Sequence, residues 1–123
     1  MIPRPPFPRP AAAAVDKARV LLERALGPSK VVTDPDACLA YAGDESDQEP
    51  VAPDAVALVT SAEDVCRALA AASEAGVPVT PRAAGTGKSG GAVPVAGGVV
   101  LATIGMSAVK HVDRDEQIAV VEP

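Results

Sequence analysis

The sequence predicts an α+β domain with a βαβ core, and three observations carry that prediction. Ala55-Val56-Ala57-Leu58-Val59-Thr60 is a continuous apolar run bounded by Pro53 and Ser61, the pattern of a strand buried on both faces. A helix follows at once: Val65, Ala68, Leu69 and Ala72 form an apolar stripe, Ser61 and Asp64 stand at capping-box spacing with Asp in place of Glu, and Gly76 can end the helix. Val77 to Thr80 then supplies a second strand. Such a unit has parallel strands, and ligands gather beyond the carboxyl ends of those strands.

The other elements follow in chain order. Met1 to Pro10 has proline at half its positions and no apolar signal-peptide core, so residues 1–10 are expected to be an extended, flexible tail. Residues 11–50 read as an N-terminal helical segment and an acidic loop. Val15, Ala18, Leu22 and Ala25 share one helical face between Ala11 and Leu26, and Gly27-Pro28 stops that helix. Val31-Val32-Thr33 can extend, and Asp34-Pro35 has the cap and first-turn chemistry for a second helix to about Tyr41. Ala42 to Pro50 is acidic and turn-rich; it lacks the ligand spacing of a calcium loop and is expected to be solvated. Beyond the βαβ unit, Val99 to Ile104 reads as a strand, Ser107 to Asp115 as a turn region and Gln117 to Val121 as a last strand. The final residues lie at a strand edge with no helix to cover it, so the chain is expected to be the front part of a longer, truncated domain.

Composition narrows the function classes. The 123 residues are 48% hydrophobic, enough for one packed domain, but the apolar content is Ala and Val with only Phe7 and Tyr41 as aromatics. The core is therefore expected to be light. A net charge of −5 without a basic cluster excludes a nucleic-acid footprint. Cys38 and Cys66 form no C-x-x-C and have no nearby His, so both are read as small buried thiols in helices, and His111 as a surface residue. No stretch is apolar and long enough to span a membrane, and the expected location is cytoplasmic.

The segment that carries chemistry is Pro81-Arg82-Ala83-Ala84-Gly85-Thr86-Gly87-Lys88-Ser89-Gly90-Gly91, between two strands. Its glycines let backbone N–H groups approach an anion without obstruction by a Cβ, as in a phosphate-binding nest. A nucleotide or dinucleotide is the expected ligand. Two familiar phosphate loops do not fit. G-x-x-x-x-G-K-[ST] needs Gly where Arg82 stands, and Gly85, Gly87 and Gly90 satisfy G-x-G-x-x-G without the helix that must follow.

The run does resemble the FAD-binding domain of the vanillyl-alcohol oxidase and p-cresol methylhydroxylase (PCMH-type) family, most closely the FAD-linked glycolate oxidase and D-lactate dehydrogenase subunits. The family's segment of Arg, G-T-G, S-G-G-A and a final Pro is matched in order within Pro78 to Pro94, after a strand and helix matched by Ala55 to Gly76. Tyr41…Asp44-Glu45-Ser46 looks like the start of the family's domain, and Gly97 to Leu101 followed by Met106 like its exit strand. The resemblance implies that residues 51–123 are an incomplete PCMH-type FAD-binding domain, the N-terminal lobe of a flavin domain. It implies contacts to the FAD pyrophosphate from Arg82, Ala83, Ala84, Gly85, Thr86, Gly87, Ser89 and Gly90.

Some members attach the flavin through a His in this loop; Thr86 occupies the corresponding place, so the implied FAD is non-covalent. Two positions depart from the pattern. Ala83 replaces a usual Gly and would be strained if its φ had to be positive. Lys88 replaces an apolar residue and either neutralises pyrophosphate charge or extends into solvent. The implied reaction is oxidation of a small D-2-hydroxy acid substrate, with electrons passed from flavin to a separate acceptor. No carboxylate-binding or basic group for that reaction is recognisable in the sequence, so the chain alone is expected to be inactive. A non-catalytic remnant of the family without a working flavin site is the alternative reading.

Overall fold

The computed structural model describes residues 7–123, so the expectation for the tail falls partly outside the described residues. Within it, Arg9 is anchored: its Nη2 donates to the Ala52 carbonyl at 3.1 Å and to Asp54 Oδ1 at 2.7 Å. Helix α1 (Ala12–Leu26) buries Val15, Ala18 and Leu22, three residues on one face, and ends where Gly27 N–H donates to Glu23 O. A 3-10 turn leads to β1 (Val31–Val32). The Asp34 carboxylate accepts the Ala37 N–H at 2.8 Å and starts α2 (Pro35–Cys38), which passes into a second 3-10 turn ending at Tyr41. Then come β2 (Ala55–Leu58), α3 (Ala62–Ala75), β3 (Val79–Arg82), β4 (Val99–Ala102), β5 (Val109–Asp113) and β6 (Ile118–Val121).

The main sheet has the order β1-β2-β4-β3, with β2 and β3 both parallel to β4 and β1 antiparallel to β2. The βαβ unit is present, but β4 inserts between its two strands. Because β3 is thereby an edge strand, it tolerates Pro81, and the strand runs on to Arg82 instead of stopping at Thr80. The expected turn region from Ser107 is corrected: β5 pairs with β6 as a separate two-stranded ribbon. Nearly all of its residues are exposed on both faces, which removes the apolar alternation by which a half-buried strand is recognised.

Alternate residues of the central strands feed two apolar clusters, as strand geometry requires. Ala55, Ala57, Val59, Val99 and Leu101 face α1 and α3 together with Leu22, Val77 and Met106. Val56, Val100 and Ala102 face the other way, onto Cys38 and Tyr41. The core is light, as expected: α3 meets the sheet through Ala68, Ala71, Ala72 and Ala75. Small residues also permit a close approach where β4 begins. Gly98 has φ +74, and a Cβ there would overlap the Pro78 carbonyl oxygen, whose acceptance of the Val99 N–H at 2.9 Å aligns β3 with β4.

The capping box has an altered form. Ser61 Oγ accepts the Asp64 N–H at 3.1 Å, but the short Asp64 side chain does not return to Ser61. Its Oδ2 instead accepts Thr60 N–H and Thr60 Oγ1, both at 3.1 Å, and the Lys30 ammonium at 2.5 Å. Among the described residues no helix is long and apolar enough to cross a membrane.

Candidate functional site

Because β2, β4 and β3 run parallel, their carboxyl ends share one edge of the sheet. The chain leaves that edge at Arg82 and returns to the start of β4 through bends and turns, with no helix between. The loop therefore presents its amides singly. Among the described residues, no backbone N–H from Ala83 to Ser89 donates a hydrogen bond, and Ala83, Ala84, Thr86, Gly87, Lys88 and Ser89 are all exposed. The Thr86 and Ser89 hydroxyls have no protein partner among these residues, and Lys88 no ion pair. Unclaimed N–H groups on a water-facing loop, with an ammonium among them, are the donors that an anion-binding surface requires.

Peptide planarity shows where several of these donors point, since the C=O and N–H of one trans peptide are antiparallel. The Arg82 carbonyl accepts the Thr103 N–H at 2.9 Å, so the Ala83 N–H is directed away from β4. The Gly87 carbonyl accepts the Glu45 N–H at 3.0 Å, so the Lys88 N–H is directed away from the acidic segment. Gly85 at φ +73 and Gly90 at φ +81 make the left-handed turns between. Ala83 does not have positive φ, and the strain considered for it is absent; Gln117, at φ 56, is the one non-glycine residue among those described with this geometry.

Six of the eight expected contact residues thus present free donors or turn geometry toward solvent, and two do not. The Arg82 guanidinium is turned inward: Nη1 donates to the Gly43 carbonyl, and the group lies 5.9 Å from the centroid of the Tyr41 ring. Gly90 packs against the Ser46 and Gln48 side chains and its carbonyl accepts the Val93 N–H, while the Asp44 carboxylate beside it accepts the Ala92 N–H at 3.4 Å. The acidic segment is therefore only half as expected. Glu45, Asp47 and Glu49 are solvated, whereas Gly43, Asp44 and Ser46 brace the glycine loop. Hydrogen bonding by the Ser46 hydroxyl, then by backbone N–H groups, holds the Asp44 carboxyl below its ordinary value. The Asp44-x-Ser46 pairing, with Ser46 N–H donating to Asp44 Oδ1 at 3.0 Å, is a local signal that sequence inspection could have used.

Other chemical groups lie elsewhere. A cavity of about 540 Å³ opens between α1 and α3, bordered by Leu21, Arg24, Ala71 and Glu74 and by no loop residue. Cys38 is buried and its thiol is pushed up by burial, but Cys66 is exposed on α3, contrary to expectation, because it faces away from the alanine stripe. His111 is exposed on β5. Among the described residues no group of three or more His, Cys, Asp or Glu could hold a metal ion.

The model of a family described as the FAD binding domain matches residues 53–123. An uncharacterized FAD-linked oxidoreductase of Mycobacterium tuberculosis is 45% identical over 68% of this chain and 18% of its own length. The glycolate oxidase subunit GlcD of Bacillus subtilis is 35% identical over 69% of this chain and again 18% of its own. The chain thus spans about 18% of the length of these curated relatives. The crystal structure of p-cresol methylhydroxylase with substrate bound superposes with a TM-score of 0.80 at 25% identity, over 95% of this chain and 24% of that one.

Proposed function

The chain belongs to the family of FAD-binding domains, and from that premise we propose that it is the FAD-binding part of an FAD-linked oxidoreductase and that its glycine-rich loop holds the FAD pyrophosphate, without a covalent bond to the flavin. The observation that supports this reading is the row of unclaimed amide donors from Ala83 to Ser89 beside the carboxyl ends of parallel strands. A pyrophosphate offers many acceptor oxygens and two negative charges, and the loop answers with backbone donors, the Thr86 and Ser89 hydroxyls and the Lys88 ammonium. Charge-assisted bonds of this kind are the stronger class. Thr86 has no nucleophilic nitrogen with which to tether a flavin.

We further propose that the whole protein oxidises a small D-2-hydroxy acid of the glycolate or D-lactate type and passes the electrons to a separate acceptor. The similarity to a glycolate oxidase subunit supports this. FAD, when bound, supplies the two-electron acceptor, and these residues contribute its binding and orientation.

The test is a titration of the purified chain with FAD and, in parallel, with riboflavin and with ATP plus magnesium, read by flavin fluorescence and by absorbance after desalting. FAD is expected to be retained and riboflavin, which lacks the pyrophosphate, to bind at least tenfold more weakly. Equal binding of FAD and riboflavin would refute the assignment of the loop, and magnesium-dependent ATP binding in place of FAD would refute the cofactor.

A further inference from the structure

The loop is fastened at three points to a segment forty residues earlier in the chain. At its start, the Arg82 guanidinium donates to the Gly43 carbonyl, lies over the Tyr41 ring, and fills the space where a Cβ on Gly85 would stand. At its middle, the Gly87 carbonyl accepts the Glu45 N–H at 3.0 Å. At its end, the Asp44 carboxylate accepts the Ala92 N–H at 3.4 Å and is itself oriented by Ser46, whose hydroxyl donates to Oδ1 at 2.5 Å. The Gly87 fastening acts on a peptide and leaves the Lys88 N–H on its opposite side facing out, while the other two hold the ends of the loop.

We propose that Asp44 and Arg82 are positioning residues of the anion cradle: they fix the loop on the Tyr41–Ser46 segment so that its free amides converge, and neither touches the bound phosphate. The proposal rests on the FAD reading and revises it at Arg82, which the family resemblance places among the contacts. It also assigns an acidic residue a favourable role beside an anion. On charge alone a carboxylate there repels phosphate, so its removal would tighten binding. On geometry its removal frees the Ala92 amide and the end of the loop, so binding weakens. The two effects have opposite signs.

Asp44→Asn separates them. The expected result is about tenfold weaker FAD binding, with a Tm within a few degrees of the wild type and faster hydrogen exchange at the amides of Glu45, Ala92 and Val93, which carry the loop's hydrogen bonds, in the free protein. Tighter or unchanged FAD binding would overturn the proposal. Ser46→Ala is the milder companion should Asp44→Asn fail to fold; it removes one hydroxyl that orients Asp44, and about threefold weakening is expected. Arg82→Lys keeps the charge but loses the planar fork that serves Gly43 and Tyr41 together. It is expected to weaken binding about tenfold while leaving the slope of log Kd against log salt unchanged. Wild-type affinity in Arg82→Lys, or a reduced slope in Arg82→Gln, would show a direct charge contact and overturn the assignment. Should the wild type retain no FAD, the cofactor reading fails by itself, and hydrogen exchange decides the rest: faster exchange in Asp44→Asn supports the positioning role, and unchanged exchange refutes it.

Discussion

Replacing Gly85 by Ala tests the loop's internal support most directly, because the structure divides its cost into separable parts. An alanine held at φ +73 pays about 1–2 kcal/mol for left-handed geometry. Its Cβ would also overlap the Arg82 guanidinium, and a side-chain terminus can move away only by giving up what it holds. That is a charge-assisted bond to the Gly43 carbonyl, about 1.5–3 kcal/mol, and the contact with the Tyr41 ring, about 0.5–1 kcal/mol. Complete loss of all three gives about 3–6 kcal/mol by those measures. Two substitutions calibrate the result. Gly76→Ala carries a positive φ of +70 in the left-handed region with nothing within 4 Å, so it reports the backbone component alone. Gly91→Ala has neither strain nor neighbour and is expected to stay within about 0.5 kcal/mol of the wild type. The assay is urea unfolding of the three variants at pH 7 with a common m-value. Gly85→Ala is expected to exceed Gly76→Ala by about 2–4 kcal/mol. Equal losses would mean that the Arg82 contacts contribute nothing and that the loop is not held from beneath.

The remaining predictions concern the frame that carries the loop. Lys30, then the Thr60 N–H, hold the Asp64 carboxyl below its ordinary value. The unfolded chain therefore takes up this proton at a higher pH than the native one. The stabilisation is complete above the unfolded value of about 3.9 and is lost as pH falls through it toward the lower native value. Urea midpoints measured from pH 7 to pH 2 should show a shallower acid limb for Asp64→Asn, with a loss of about 1.5–3 kcal/mol at pH 7. Leu22 is fully buried against α3 and the sheet, so Leu22→Ala is expected to cost about 2–5 kcal/mol in the same unfolding assay. A thiol-specific reagent followed by mass measurement should label Cys66 alone in the native protein, and Cys38 only after denaturation, because burial both shields that thiol and raises its pKa.

The elements that could be read from sequence were those in which one local rule settles the outcome. Asp34-Pro35 starts α2 because a carboxylate can accept the Ala37 N–H three residues on, and Gly27 and Gly76 close α1 and α3. What could not be read was pairing at a distance. The order that inserts β4 between β2 and β3 depends on the approach of Gly98 to Pro78, which neither strand's pattern contains. The solvated ribbon of β5 and β6 hides its strands, since Lys110, His111 and Asp113 meet water whichever way they point. The same limit applies to the site. The glycines announced a loop with accessible amides, but Arg82 looked like an anion contact, and its commitment to Gly43 and Tyr41 became visible only in three dimensions.

That limit has a physical origin in how this fold crosses its sheet. The connection from β2 to β3 uses α3, whose own hydrogen bonds fix its backbone, so its shape is encoded locally. The return from β3 to β4 begins with a glycine-rich run whose amides from Ala83 to Ser89 donate no hydrogen bond, and such a run has many conformations of similar energy. Freedom of this kind lets amides reach an anion, yet it also means that ordering them on binding would weaken affinity. The acidic segment removes that freedom in advance by taking the loop's inward groups at Arg82, Gly87 and Ala92. Affinity for a phosphate should therefore depend on residues outside the glycine run as strongly as on residues within it. A glycine motif transplanted without Tyr41, Gly43 and Asp44 would keep its composition and lose the cradle.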